Sequence, residues 1–378
     1  MNGPVTDSNW PQRVALVCPD LEHNTIGYLA GRLATALAKS DVEVAMYCTS
    51  ERFDLKLVPN GVSFHGGQPG RSITSAPRLR RFFDSWRPDV VIPMLEQAIP
   101  GCRLGAVGRS ECLVVPYLLH PPSLGDPDHQ LISRPLVKRL IVGKPQLTFA
   151  LCDGAANDAA QILRIPRDEI AVVAPAYDAP QIADTVDDPG PLRLVTVSRL
   201  VPLKRLDVLL HAVRLLIDRG IDVHLAIVGD GELRAELTGL TESMSLGDAV
   251  TIAGWVDDPA AIVRQSQLYV SASEEEGFGM AIVEAMAAGV PALAVDALGG
   301  GPRFICGDGG LALIPRGSAA DLADAIQALT PAETRRHFRD EGLSRAGYFS
   351  TEQVGRRVIE SIRGIVRRAP TRERVVSA

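Results

Sequence analysis

Short apolar runs alternate with amphipathic stretches along the first half of the chain. The apolar run 14–18 predicts a buried strand, and the stripe of Leu and Ala positions over 26–38 predicts a helix that covers it. Strands that are apolar throughout and are separated by helices are typical of a parallel sheet with both faces covered. The further strands predicted in this half are 42–48, 89–95, 112–119, 147–152 and 170–174.

Segment 175–191 interrupts this rhythm with four prolines and an acidic run, so we expect a domain linker there. The alternation of apolar runs and amphipathic stretches then restarts and continues through the second half. The strands predicted there are 192–197, 223–228, 250–253, 267–272, 291–295 and 311–314, and the main helices are 205–219, 232–244 and 279–288.

These patterns predict an α/β protein with two doubly wound, Rossmann-like parallel-sheet domains. The first domain would span residues 1–178 and the second residues 190–349, with a frayed tail at 367–378. Because ligands bind outside the carboxyl ends of parallel strands, we expect a central cleft where those ends of the two sheets face each other.

Composition and charge narrow the class of protein. The 378 residues are 46% hydrophobic and 22% charged, which excludes a disordered or fibrous chain, and a net charge of −6 argues against a nucleic-acid binder. No signal peptide and no apolar stretch of about 18 residues is visible, so the expected compartment is the cytoplasm. The basic stretches 78–87 and 134–144 are more typical of solvated helix faces than of a membrane-binding surface.

Metal-binding patterns are missing from the sequence. The six cysteines form no CxxC pair, and the seven histidines show no HxxxH or HExxH spacing, so we expect buried, reduced thiols and no zinc site. Asp126 and Asp128 have Asp-x-Asp spacing, but they lie in a Pro-rich stretch rather than at a strand end. We therefore expect no bound metal and no cofactor.

The clearest chemical signal is a Gly-Phe-Gly turn within residues 274–289, after a predicted strand and before an Ala-rich helix. Gly277 and Gly279 have no Cβ, so a ligand can approach the backbone closely there. The first N–H groups of the helix are unpaired and lie at its positive end, which suits a phosphate or a sugar oxygen.

Two carboxylates accompany this turn. Glu276 lies before it and Glu284 lies eight residues later, within an apolar helix, so both can accept hydrogen bonds from the hydroxyls of a ligand beside the helix. The alternative is an acidic helix N-terminus favoured by the helix dipole. That alternative accounts for Glu274 and Glu275 but leaves Glu284 unexplained.

A second signal is the basic pair Arg199 and Lys204, which follows the strand 192–197. Arg can bind phosphate bidentately and Lys adds a mobile charge, so together they can neutralise a diphosphate. The alternative is a pair of solvated surface cations. We expect the neighbouring Arg205 to lie at the surface.

Four segments, in order and spacing, resemble family 4 of the retaining glycosyltransferases, which have the GT-B fold. The segments are SRLVPLKRLDVLL, LAIVGDGELRAEL, VTIAGWVDD and EEEGFGMAIVEAMAAGVPALAVD. Glu276 and Glu284 match the E-x7-E pair of that family. The resemblance implies that Glu284 binds the nucleotide ribose, Glu276 the donor sugar, and the basic pair the diphosphate. The other donor-binding positions that it implies are Gly277, Phe278, Gly279, Met280 and Ala281 in the turn, and Gly229, Gly231, Trp255 and Val256 around the base.

The first domain resembles the family more loosely. His120, at the end of the predicted strand 112–119, matches a histidine that faces the donor sugar in the family, although a lone histidine is more often structural. Where many members have Gly-Gly after the first strand, this chain has Asn24 and Thr25, with Gly27 nearby; Asn24 suits a helix N-cap. Arg303 also departs from the pattern, and the sequence leaves open whether it faces the cleft or the surface. The resemblance further implies that helix 350–366 crosses back onto the first domain.

The resemblance implies a retaining glycosyltransferase that moves a hexose or hexosamine from a nucleoside diphosphate sugar to a hydroxyl acceptor. UDP is the favoured nucleotide and GDP the next. The acceptor would be a small molecule or a glycoconjugate of natural-product or cell-envelope biosynthesis. The catalytic residues would be His120, Arg199, Lys204 and Glu276, with cationic side chains in place of a metal. The alternatives are a nucleotide-sugar epimerase or hydrolase and a non-catalytic binding module.

Overall fold

The computed structural model describes residues 10–68, 72–124, 146–179, 182 and 190–368. The contacts of the chain divide it into two compact units. Unit 1 comprises Met1–Ala176 and Thr351–Ala378, and unit 2 comprises Tyr177–Ser350. The predicted Asp-x-Asp spacing at 126–128, the basic stretch 134–144, most of the linker and the tail from 369 onward lie outside the described residues.

Within the described ranges, unit 1 contains two parallel sheets. The first has the order β3-β2-β1-β4-β5, with β1 (Arg13–Cys18), β2 (Glu43–Cys48), β3 (Ser63–Gly66), β4 (Val90–Pro93) and β5 (Leu113–Val114). The second has the order β6-β7-β8, with β6 (Tyr117–Leu118), β7 (Thr148–Ala150) and β8 (Ile170–Val172). Strand β1 pairs with β2 and β4, and its side chains from Val14 to Cys18 are buried. This burial on both faces explains the uninterrupted apolar run.

The prediction of one strand over 112–119 is wrong. Strand β5 ends at Val114 and β6 begins at Tyr117, in a different sheet. Pro116 lies between them, and because proline has no N–H it cannot continue the ladder with a donated hydrogen bond. Val115 still donates its N–H to the Val91 carbonyl of the first sheet, whereas the Pro116 carbonyl accepts from the second sheet. The chain thus changes sheets there.

The helices of unit 1 before the linker are α1 (Thr25–Ala38), α2 (Ala76–Trp86), α3 (Ile99–Gly105) and α4 (Asp153–Leu163). Helix α2 covers the predicted basic stretch 78–87. It buries Leu79, Phe82 and Phe83 against the sheet and exposes Arg80 and Arg81, as expected for a covering helix. In the described part of the chain, no helix has the apolar length to cross a membrane.

Unit 2 contains a parallel sheet with the order β11-β10-β9-β12-β13-β14 in the residues described. Its strands are β9 (Leu192–Val197), β10 (Val223–Val228), β11 (Val250–Gly254), β12 (Leu268–Ser271), β13 (Ala292–Val295) and β14 (Ala312–Ile314). Its helices are α5 (Leu206–Asp218), α6 (Arg234–Ser243), α7 (Pro259–Arg264), α8 (Met280–Ala287), α9 (Gly301–Cys306), α10 (Ala319–Ala328) and α11 (Ala332–Ala346). The strand order reverses beside β9, between β10 and β12, which creates a topological switch point.

The last helix, α12 (Thr351–Arg368), belongs to unit 1. It packs closely on α1, because a Cβ on Gly355 would lie only 2.4 Å from the Ala36 carbonyl oxygen. Near the end of α12, Arg363 donates a hydrogen bond from Nε to the Trp10 carbonyl at 2.9 Å. The final helix is therefore fixed to the first unit by backbone packing and by a polar contact.

Candidate functional site

The candidate site of unit 2 lies at the carboxyl ends of β9 and β12, beside the switch point. Two loops form it, residues 198–205 after β9 and residues 272–279 after β12. The Glu274 N–H donates a hydrogen bond to the Leu203 carbonyl at 2.9 Å, which joins the loops. The two chemical signals of the sequence therefore meet at one edge of the sheet.

Lys204 and Glu276 are in direct contact in this site. Lys204 Nζ lies 2.5 Å from Glu276 Oε2, and the two side chains are only 16% and 18% exposed. The Ser273 hydroxyl donates a further hydrogen bond to the same carboxylate oxygen at 3.4 Å. The ammonium group therefore neutralises a largely buried carboxylate.

The start of helix α8 depends on glycine. Gly279 has φ 104°, in the left-handed region, and it precedes α8 without a side-chain cap. A Cβ at this position would lie 2.9 Å from Ile282 Cδ1 and 3.3 Å from Glu276 Cγ. The turn therefore presents the first N–H groups of α8, at Met280 and Ala281, at the positive end of the helix.

The aromatic residue of the turn has a packing role. The Phe278 side chain is buried and makes an edge-to-face contact with Phe349 at a centroid distance of 5.9 Å. A Cβ on Gly301 would lie 2.1 Å from the Phe278 carbonyl oxygen, so helix α9 packs directly on this part of the turn. Phe278 thus anchors the turn in the core, and the role of its backbone and that of Gly277 in donor binding stays a prediction.

The buried phenol of Tyr269 in β12 lies within the electrostatic influence of both predicted carboxylates, and the sequence analysis missed it. Its hydroxyl donates to the Val197 carbonyl at 3.4 Å. Burial raises the pKa of the Tyr269 phenol, and the negative charges of Glu276 and Glu284 raise it further. Both carboxylates therefore act on one buried phenol. The sequence offered one signal for this residue: a tyrosine hydroxyl on an otherwise apolar strand, two residues before Ser271.

Arg199 and Arg205 both lie at the surface of the loop after β9. Arg199 lies in the loop after β9 with an exposed side chain, and within the described residues it forms no ion pair. Arg205 lies at the surface, as expected, with its side chain 40% exposed; its Nη1 lies 3.2 Å from Glu274 and its Nε 3.4 Å from Asp207. The structure thus brings Lys204, but not Arg199, into contact with a predicted carboxylate.

The helix-dipole explanation for Glu274 and Glu275 is wrong. Helix α8 begins at Met280, and its first turn contains no acidic residue. Dipole effects fall off within the first turn, so these carboxylates are too far away to benefit. Glu274 instead pairs with Arg205, and Glu275 lies in a bridge with Leu298.

The predicted base-pocket glycines hold two loops together. A Cβ on Gly229, which has φ 133°, would lie 1.9 Å from the Ser198 carbonyl oxygen, and one on Gly231 would lie 2.5 Å from that of Leu200. Beyond β11, Trp255 is 68% exposed and donates from Nε1 to Asp257 at 3.3 Å, and Val256 is half-buried. The loops after β10 and β11 thus lie at the same carboxyl edge, and their role in base binding stays a prediction.

In unit 1, the predicted loop residues have structural partners. Asn24 caps α1 by accepting a hydrogen bond from the Gly27 N–H at 3.0 Å, and Thr25 is the exposed first residue of the helix. A Cβ on Gly27 would lie 2.1 Å from the Glu22 carbonyl oxygen. His120 follows β6 with its side chain 43% exposed, and its Nδ1 lies 3.8 Å from Glu96 Oε1.

Arg303 is the remaining position that departs from the family pattern. Arg303, whose orientation the sequence left open, is 71% exposed and forms an ion pair with Asp296, directly after β13.

In the described ranges, no group of three or more His, Cys, Asp or Glu side chains is arranged to hold a metal ion.

Two family models match consecutive parts of the chain. One, described as Glycosyl transferase 4-like domain, matches residues 24–176, and the other, Glycosyl transferases group 1, matches residues 180–345. Among curated relatives, the poly(ribitol-phosphate) alpha-N-acetylglucosaminyltransferase of Staphylococcus aureus (strain COL) is 31% identical over 133 residues, 35% of this chain and 27% of the relative. The D-inositol 3-phosphate glycosyltransferase of Nocardia farcinica (strain IFM 10152) is 30% identical over 251 residues, 61% of this chain and 55% of the relative. The chain thus spans about a quarter to a half of the length of these relatives.

Solved structures match nearly the whole chain. The lipopolysaccharide outer core galactosyltransferase WaaB in its apo form has a TM-score of 0.75 at 16% identity, over 93% of this chain and 99% of that one. Anabaena Alr3699/HepE in complex with UDP has a TM-score of 0.75 at 17% identity, over 93% of this chain and 100% of that one. At such identity the likeness shows the fold alone, and it confirms the predicted two-sheet GT-B architecture. The chain belongs to the glycosyl transferases group 1 family, with a glycosyl transferase 4-like domain in its first half, and it has the GT-B fold.

Proposed function

We propose that the chain is a retaining glycosyltransferase that moves a hexose or hexosamine from a nucleoside diphosphate sugar to a hydroxyl of an acceptor. UDP is the favoured nucleotide and GDP the next, and the acceptor belongs to cell-envelope or natural-product glycoconjugate biosynthesis. The observation that carries the proposal is the contact between Lys204 and Glu276 beside the start of α8. Support also comes from relatives named as glycosyltransferases and from a neighbour described with UDP.

The charges of the site suit a diphosphate leaving group. The ammonium of Lys204, the guanidinium of Arg199 and the N–H groups after Gly279 place positive potential where negative charge develops as the bond to the sugar breaks. These cations supply the charge that a metal supplies elsewhere, so we propose transfer without a metal. Fixed cations in a partly buried site act more strongly than the same groups in water.

The carboxylates of the site are suited to accept hydrogen bonds from the hydroxyl groups of a nucleotide sugar. Glu276 and Glu284 accept hydrogen bonds from the donor sugar and from the ribose, and Lys204 lowers the cost of bringing Glu276 close to the diphosphate. In the proposed step, the bond between the anomeric carbon and the phosphate oxygen breaks, and a bond from the acceptor oxygen to that carbon forms on the same face. The acceptor proton passes to the leaving phosphate oxygen. The configuration is retained because the new bond forms on the face from which the phosphate leaves.

The test is turnover with defined donors. The chain is incubated with UDP-glucose, UDP-N-acetylglucosamine, UDP-galactose and GDP-mannose, with an acceptor panel and with EDTA, and the released nucleoside diphosphate is measured by liquid chromatography. We expect release that depends on acceptor, survives EDTA and gives a product of the donor's anomeric configuration by NMR. An inverted product contradicts the retaining mechanism. Conversion of the donor without acceptor indicates an epimerase or hydrolase, and binding without any turnover indicates a non-catalytic module.

A further inference from the structure

Unit 1 contains a buried carboxylate whose only ionic neighbour in the described residues is His120. Glu96 follows β4, and its side chain is 7% exposed. Glu96 Oε1 and His120 Nδ1 are both buried, neither has a hydrogen-bond partner among the described residues, and they lie 3.8 Å apart. Buried polar atoms nearly always have partners, so two unpartnered atoms that face each other call for an explanation.

The backbone fixes both residues at the same edge of the sheets. Met94 forms a bridge with Tyr117, and the Leu95 N–H donates to the Tyr117 carbonyl at 3.3 Å. Leu95 has φ 81°, a left-handed conformation that is unfavourable for a leucine and persists only where the surroundings impose it. The segment before Glu96 is thus tied to the strand that leads to His120.

The two side chains complement each other chemically. A hydrogen bond between nitrogen and oxygen needs about 2.7–3.2 Å, so a side-chain shift of under about 1 Å brings Nδ1 and Oε1 into contact. The His120 ring is 43% exposed although its Nδ1 is buried, so the accessible part of the ring is its other atoms. When a carboxylate accepts from Nδ1–H, the neutral ring keeps Nε2 as an acceptor.

We propose that Glu96 is a positioning residue for His120. Its carboxylate accepts a hydrogen bond from Nδ1–H, fixes the ring orientation and leaves Nε2 to accept a hydrogen bond from a hydroxyl of a substrate. This inference rests on the proposed function, because the hydroxyl that Nε2 accepts from belongs to a substrate of the transfer reaction. The Glu96 side chain is only 7% exposed, so in this proposal it acts through the imidazole and not on a substrate directly.

The first test measures the protonation of the ring directly. The chain is labelled with ¹⁵N-histidine, and the two nitrogens of His120 are observed by NMR at pH 8, with the His120→Ala variant to assign them. We expect a proton on Nδ1 in the wild type and in Glu96→Gln, whose amide oxygen can still accept. We expect Glu96→Leu to shift the population towards the ring with the proton on Nε2. A bare Nδ1 in the wild type, or an unchanged ring in Glu96→Leu, overturns the proposal.

The second test uses turnover of the nucleotide sugar. Glu96→Leu should lower kcat roughly ten- to a hundredfold with a smaller change in KM for the donor, and Glu96→Gln should retain most of the activity. In a His120→Ala background, Glu96→Leu should cause no further loss. Additive losses would mean that Glu96 does not act through His120. The exposed Glu51→Leu variant serves as the control. If the wild type turns over no nucleotide sugar, the proposed function fails, while the NMR result still decides the contact.

Discussion

Lys204 and Glu276 are 72 residues apart in the sequence and form one ion pair of 2.5 Å. The pair joins the loop after β9 to the loop after β12, the two strands that lie side by side at the switch point. The cation predicted for the diphosphate and the carboxylate predicted for the sugar are therefore partners before either meets a ligand.

Removing the cation of this pair should destabilise the fold. Lys204→Met leaves Glu276 largely buried without its ionic partner, and we expect the free energy of unfolding to fall by about 1–3 kcal/mol. Urea denaturation measures the change. The double variant Lys204→Met with Glu276→Leu should recover part of the loss, because it leaves no buried charge. The exposed Lys56→Ala should change stability by less than about 0.5 kcal/mol. Equal effects of Lys204→Met and Lys56→Ala would contradict the account.

Removing the carboxylate of α8 should affect activity more than stability. Glu284 is partly exposed near the carboxyl edge, so Glu284→Ala should keep the melting temperature within a few degrees. We expect nucleotide-dependent transfer to fall by roughly a hundredfold or more, because hydrogen bonds from the donor to a charged acceptor are lost. Circular dichroism and nucleoside diphosphate release are the two measurements. Glu360→Ala, the same change at an exposed position of α12, should leave both unchanged. Full activity of Glu284→Ala would remove the basis of the donor site.

Two glycine-to-alanine changes should alter the free energy of unfolding in opposite directions. Gly279→Ala forces an alanine into the left-handed backbone region and places its Cβ 2.9 Å from Ile282 Cδ1. The change should therefore lower the free energy of unfolding by about 1–2 kcal/mol and weaken donor binding. Gly239 lies in α6, and a Cβ added there would meet nothing within 4 Å, so Gly239→Ala should stabilise the chain by roughly 0.5–1 kcal/mol. Urea denaturation of both variants checks the signs. A stabilising Gly279→Ala would show that the turn is not constrained as described.

Alkaline pH should weaken the first unit. Burial raises the pKa of Cys112 from an ordinary value of 9.0 to about 12, and burial also raises the pKa of Cys18. The unfolded chain releases these thiol protons at lower pH than the folded chain, so the free energy of unfolding should fall as pH rises above about 9. Denaturation between pH 8 and pH 11 measures the slope. Cys112→Ala should make the decline shallower, and an unchanged slope in that variant would contradict the burial argument.

Most strand positions were predictable because parallel strands buried on both faces must be apolar, as β13 and β1 from Val14 onward are. Lys204 and Glu276 were identifiable as a cation and a carboxylate after strands. The contact between them could not be predicted, because it depends on β12 lying next to β9, which no local sequence pattern encodes. The same limit applies to Glu274, whose partner Arg205 comes from the other loop, and to Glu96, whose burial follows from the packing of unit 1.

The most direct test of the central claim is a thermal-shift series with UDP, GDP and dTDP, each with and without EDTA. A ligand that binds the folded chain alone raises its stability by about 2.7 kcal/mol at a hundred times its dissociation constant. We predict that UDP raises the melting temperature most, that the shift survives EDTA, and that it is reduced in Lys204→Met. A wild-type chain whose melting temperature rises with none of the three nucleotides would contradict a diphosphate site at Lys204, Glu276 and the start of α8.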